Sequence, residues 1–171
     1  MLTQEELEKL SREQLIELLL IDSKNLVAMD GVWFQSIERE QGMDSAMHHD
    51  EEIWKRYTRS EAKRIKQFLG LGEHPGLEGL ARALNYRMVD RANPSEVSYR
   101  DGKLLYKILV CRVQEARTRK NMPLHPCKSA AVYEYSGFAE EIDDRIKCRC
   151  VSCYPDVTDA SCSCAWEFWI D

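Results

Sequence analysis

Residues 96–111 read EVSYRDGKLLYKILVC, and this stretch decides the fold. Two short runs rich in apolar and aromatic residues flank Asp101-Gly102. That dipeptide suits a two-residue type I′ turn, which needs positive φ at both central positions. The spacing predicts a β-hairpin. The second run is rich in Leu, Ile and Val, so it is expected to be a central strand, continuing as far as Val113.

Before Asn93-Pro94 the period is different. In SREQLIELLLIDSKNLVAMDGVWFQSIERE, Leu15, Leu18, Leu19, Leu26, Val27 and Ile37 recur at helical spacing. Ser11 with Gln14 makes a capping box, and Gly42 ends the element. A second helix is expected from near Asp44 to Phe68 or Leu69. A third follows the GLGEHPG loop, from about Leu77 to Met88. After the hairpin, NMPLHPC reads as a loop and SAAVYEYSGFAEEI as a helix with Ser129 as its N-cap. RIKCRCVSCY and CSCAWEFWI read as two strands joined by PDVTDAS. The expected fold class is α+β in a single domain, 1–171. A helical half, about 1–92, packs on an antiparallel sheet of about four strands with one inserted helix, about 93–171.

Composition narrows the function. The net charge of −5 over 171 residues argues against a nucleic-acid partner, which would want a basic face. The longest apolar runs, LIELLLI and LLYKILVC, are too short to span a bilayer. The acidic N-terminus lacks the basic and apolar regions of a signal peptide, so a cytoplasmic location is expected. That compartment is reducing, and stable disulfides are rare there. The 7 cysteines are also an odd number, so they cannot all pair within one chain.

Five of those 7 lie in CRCVSCYPDVTDASCSCAW, Cys148 to Trp166. Strand alternation puts Ile146, Cys148 and Cys150 on one face. It puts Cys162 and Cys164 on the core face with Trp166, Phe168 and Ile170. Cys153 falls on the opposite parity to Cys150 unless the strand ends or bulges between them. Cys150-x-x-Cys153 has the spacing of a zinc knuckle, whereas Cys162-x-Cys164 does not. Packing, metal ligation and thiol reactivity all remain open for the group. His125 lies two residues from Cys127, the one place where a base stands beside a thiol in sequence.

Asp50, Trp54, Tyr57, Glu61 and Ile65 share one helix face. Two carboxylates on an apolar stripe are costly unless paired or hydrated. Either they belong to a polar pocket, as ligand or base, or they sit at the stripe's wet edge. Adjacent His48 and His49 point about 100° apart and do not readily serve one site. Arg112, on the same strand face as Gln114, is a candidate for bidentate recognition of a carboxylate. No GxGxxG, P-loop, GxSxG or HExxH motif is present, so those chemistries have no support.

The segments DGVWFQSIEREQGMDSAMHHDEEIW, CRVQEARTRKNMPLHPCK, EYSGFAEEIDDRIKCRCVSCYPD and CAWEF together resemble a family of uncharacterised prokaryotic cytosolic proteins over nearly the whole chain. More distantly, the C-terminal half is similar to the L-2-amino-thiazoline-4-carboxylic acid hydrolase-like family and to the 4-vinyl reductase-like small-molecule-binding domain. The positions that match are Cys127, Cys150, Cys153, Asp156 and Cys164, with Cys148 and Cys162 as extras. The resemblance implies a small-molecule-binding protein whose Cys127, Cys150, Cys153 and Cys164 hold zinc or iron. Alternatively it implies a hydrolase of a small thiazoline or cyclic amide-like substrate. There Cys127 or a metal-bound water attacks, Asp50 or Glu61 manages protons, Arg112 holds a substrate carboxylate, and Trp54 and Tyr57 line the pocket. A third reading is a non-catalytic protein with a cysteine-rich core. Neither nucleic acid nor membrane is expected as a partner, and the oligomeric state is open.

Overall fold

A computed structural model describes residues 3–89 and 91–171. The described residues form six helices and one four-stranded antiparallel sheet. The helices are α1 (Gln4–Glu8), α2 (Arg12–Gln41), α3 (Met43–Phe68), α4 (Gly76–Leu84), α5 (Arg112–Arg119) and α6 (Lys128–Ile142). The strands are β1 (Ser95–Arg100), β2 (Lys103–Ile108), β3 (Lys147–Cys153) and β4 (Cys164–Trp169), in the order β1-β2-β4-β3. This is the α+β class expected from the sequence. No helix among the described residues is long and apolar enough to cross a membrane.

The hairpin forms as its turn residues require, with Asp101 at φ 51° and Gly102 at φ 75°. Ser11 caps α2 in a reciprocal box with Gln14. The sequence boundaries shift in four places. α4 stops at Leu84 rather than Met88. β2 stops at Ile108, and the run from Arg112 is helix α5 rather than strand. Cys127, not Ser129, is the N-cap of α6. β4 starts at Cys164, leaving Cys162 buried in the preceding loop with its sulfur near the Asp159 carbonyl.

One sheet face carries Leu104, Tyr106 and Ile108 of β2 opposite Phe168, Trp166 and Cys164 of β4. α6 packs on this face, with Tyr135 stacked on Trp166 at 4.4 Å between centroids. α3 crosses the outer side of α6, and α2 lies on α3. The α3–α6 approach is close: a Cβ at Gly137 would sit 2.8 Å from Thr58 Cγ2. The other sheet face is polar, with Glu167 bridged to both Lys103 and Arg149.

β3 contains the feature that places the thiols. Cys148 pairs with Phe168 and Cys150 with Trp166, but Cys153 pairs with Cys164, with a register shift between Cys150 and Ser152. Val151 is the extra residue of a β-bulge. A regular ladder would turn Cys153 away from Cys150. The bulge returns it to the helix-covered face, where it is completely buried.

Candidate functional site

The site lies where the N-terminus of α6 meets the end of β3. Cys127 Sγ is 3.6 Å from Cys153 Sγ and 3.9 Å from the Tyr154 carbonyl oxygen. The Lys128 N–H donates to that same carbonyl at 3.1 Å, which ties the helix start to the strand end. Beyond Cys153 stands Cys164, its partner across the ladder. Cys127, Cys153 and Cys164 are therefore brought together, and Cys150 lies one ladder pair further along the same face. Among the described residues, no cysteine belongs to a set of three donors within 4.8 Å of one another; the set that does so is His74, Asp143 and Asp144. Asp143 in that set is already held by Arg145 at 2.7 Å and by the Gly76 N–H at 2.9 Å.

His125 connects Cys127 to Asp50. The loop before α6 is pinned by Gln114 of α5, whose amide donates to the His125 carbonyl at 2.8 Å and accepts from its N–H at 3.0 Å. The same amide reaches Cys127 Sγ at 3.7 Å. His125 is buried, with its ring edge-on to Phe34 at 4.4 Å. Its Nε2 lies 3.4 Å from Asp50 Oδ2 on α3. Asp50 is also buried. A thiol, an imidazole and a carboxylate thus stand close together, contributed by the N-cap of α6, the preceding loop and α3, with His125 and Cys127 shifting one another's charge.

The electrostatics follow from this order. The Cys153 thiol donates to the Cys127 sulfur and, against burial and with His125 and Gln114 adding to it, lowers Cys127 to about 5. The N-cap position on α6 favours negative charge as well. Burial opposes a charged His125, but Asp50 and Cys127 outweigh it and raise the ring to about 9. Cys153, donor to Cys127 and also bonded to Cys164, is pushed far up as a thiol. At neutral pH these shifts favour a Cys127 thiolate beside a charged His125 ring. Burial, reinforced by Asp50, pushes nearby Asp30 of α2 up to about 6.

The other residues singled out from the sequence lie elsewhere. Glu61 is buried, but its carboxylate takes Arg87 Nε at 3.1 Å and the Met88 N–H at 3.0 Å. Arg87, completely buried, also binds Glu134 at 2.6 Å. Trp54 faces that guanidinium at 6.0 Å, and the Tyr57 hydroxyl reaches Met88 Sδ at 3.1 Å. Glu61, Trp54 and Tyr57 therefore surround Arg87 and not Cys127. Arg112 sits on a helix, not a strand; its Nε donates to the Ala92 carbonyl at 2.6 Å and its N–H to Asn93 at 2.9 Å. His48 and His49 are both exposed.

An open cleft of about 510 Å³ runs along α5, and its wall includes Cys111, Gln114, Thr118, Arg119 and Leu124. Burial holds the Cys111 thiol up at about 11. Gln114 lines the cleft, and its amide also reaches Cys127 Sγ. The closeness of His125 to Cys127 in the chain is a usable sequence signal. Gln114, read from the sequence as a strand residue beside Arg112, instead pins the His125 loop from a helix, and nothing local in the sequence points to Asp30.

No curated protein and no solved structure matches the chain. A family model does match, over residues 8–170. The thiol, imidazole and carboxylate all fall within that span, and the chain belongs to the family of unknown function DUF6125.

Proposed function

We propose that this protein is a thiol-dependent hydrolase of a small cyclic amide-like or thiazoline compound. The observation that carries the reading is the Cys127–His125–Asp50 constellation, with His125 Nε2 3.4 Å from Asp50 Oδ2 and a lowered Cys127 at the helix N-terminus. Nucleophilic catalysis needs an activated nucleophile, a proton carrier and a group that orients the carrier. Cys127 adds to the electrophilic ring carbon. His125 passes its proton to the departing ring heteroatom and then accepts one from the water that frees the thiol. Asp50 holds the ring and favours its charged form. The distant similarity to the thiazoline hydrolase-like family fits this assignment. In this reading Glu61 and Arg112 serve structure, and the cleft along α5 admits the substrate.

The test is turnover of 2-aminothiazoline-4-carboxylate and related cyclic amides by the purified protein. The expected result is hydrolysis that is abolished in Cys127→Ala and reduced at least a hundredfold in His125→Ala. Full activity in Cys127→Ala refutes the assignment. Elemental analysis decides the metal alternative: about one zinc or iron per chain, lost in Cys150→Ser or Cys164→Ser, would replace this reading with a metal centre.

A further inference from the structure

The thiol site holds one group that hydrolysis leaves unused. Cys153 is completely buried and stands 3.6 Å from the nucleophile. We infer that Cys127 and Cys153 are a peroxide-reactive dithiol that closes to a reversible disulfide. The inference rests on Cys127 being the reactive thiol, but not on any turnover.

Three observations carry it. First, the two sulfurs are in direct contact. A disulfide forms at about 2.05 Å, so small side-chain rotations bring the sulfurs together. The Lys128 N–H to Tyr154 carbonyl bond keeps the helix start and the strand end in place while this happens. Second, exposure is unequal. Cys127 is half-buried, whereas Cys153 has no exposure at all. A small oxidant therefore meets Cys127 first, and Cys153 is reached through Cys127. Third, the bulge at Val151 exists in β3, and without it Cys153 would face the other side of the sheet. A packing role for a small apolar side chain needs no such contact with a second sulfur.

The chemistry balances with a hydroperoxide as oxidant. The Cys127 thiolate attacks the terminal peroxide oxygen, the O–O bond breaks, and the alkoxide leaves with the proton that His125 carries. Cys127 is now a sulfenic acid. The Cys153 thiol attacks that sulfur, an S–S bond forms, the S–O bond breaks, and the hydroxide leaves as water with the Cys153 proton. Two thiols lose two electrons and one hydroperoxide becomes an alcohol and water. A small dithiol reverses the change by exchange. The disulfide removes the hydrolytic nucleophile, so oxidation switches the proposed activity off.

The experiment is a thiol map of the whole chain. Reduced protein is treated anaerobically with one equivalent of hydrogen peroxide, blocked with N-ethylmaleimide, digested and sequenced by tandem mass spectrometry. The expected product joins Cys127 to Cys153, leaves the other cysteines blocked as thiols, and disappears with dithiothreitol. In Cys153→Ser the bridge is lost and dimedone labels Cys127. A Cys127 that stays a thiol in the wild type, or a bridge between Cys153 and Cys164 instead, overturns the proposal. The wild-type map depends on no variant and no substrate. Thus a failed map with an inactive Cys127→Ala removes this inference alone, and a positive map in a protein without turnover removes the hydrolase alone.

Discussion

Asp50→Asn keeps the shape of the side chain and deletes its charge, so it isolates what the carboxylate does to His125. The ring stands at about 9 against an ordinary 6.5, a preference for the charged form of roughly 3 kcal/mol. Asp50 is the foremost group that raises it, and burial works in the opposite direction. Without the carboxylate, burial is opposed chiefly by Cys127, with the charges of Asp30 and Glu38 adding less, and the ring is expected to lose its proton near its ordinary 6.5. The thiolate then lacks a charged partner at neutral pH. The assay is the second-order rate of Cys127 alkylation by iodoacetamide from pH 4 to 10, with the His125 ring followed by NMR. The wild-type thiolate should appear as pH rises through about 5, and its imidazolium partner should titrate near 9. In Asp50→Asn the ring titration should fall by about 2.5 units, and the rate at pH 7.5 should drop about tenfold or more. Asp30→Asn is the comparison, because Asp30 acts on His125 through its charge and should shift the ring less than Asp50→Asn does. A folded Asp50→Asn protein with an unmoved His125 titration would refute the role given to Asp50.

Two further outcomes concern the scaffold. Arg87→Met leaves the buried carboxylates of Glu61 and Glu134 without their shared cation; the variant should lose about 3–5 kcal/mol in urea unfolding. Gly137→Ala places a methyl group 2.8 Å from Thr58 Cγ2. The gain in helix propensity of about 1 kcal/mol does not offset the overpacking, so a net loss of about 1–2 kcal/mol is expected. Thr58→Ser in the same chain removes the clashing methyl and should recover most of it, which a loss from any other cause would not do.

The hairpin was legible because Asp101-Gly102 states its turn type in two residues, and the long helices because their apolar spacing runs for many turns. α5 was not. Residues 104–113 read as one apolar run, and nothing local marks the break at Leu109, where the strand ends and the chain turns into a helix. The stripe of Asp50, Trp54, Tyr57 and Glu61 was read correctly as one face. Its division into two separate sites depends on His125 and Arg87, which arrive from distant parts of the chain. The parity argument on the cysteines named a bulge as the condition for Cys153 to join Cys150. Whether the condition holds depends on ladder register against β4, which side-chain alternation does not contain.

The bulge at Val151 has a practical consequence for anyone who grafts this thiol pair onto another protein. Copying the letters C-x-x-C into a regular antiparallel hairpin would send one sulfur into the interior and the other into solvent, since the repeat of a strand is two residues and the spacing is three. The graft must carry the misregistered residue together with its partner strand. Conversely, deleting the extra residue at position 151 leaves Cys150 and Cys153 two residues apart, so a regular ladder against β4 should keep both sulfurs on the helix-covered face.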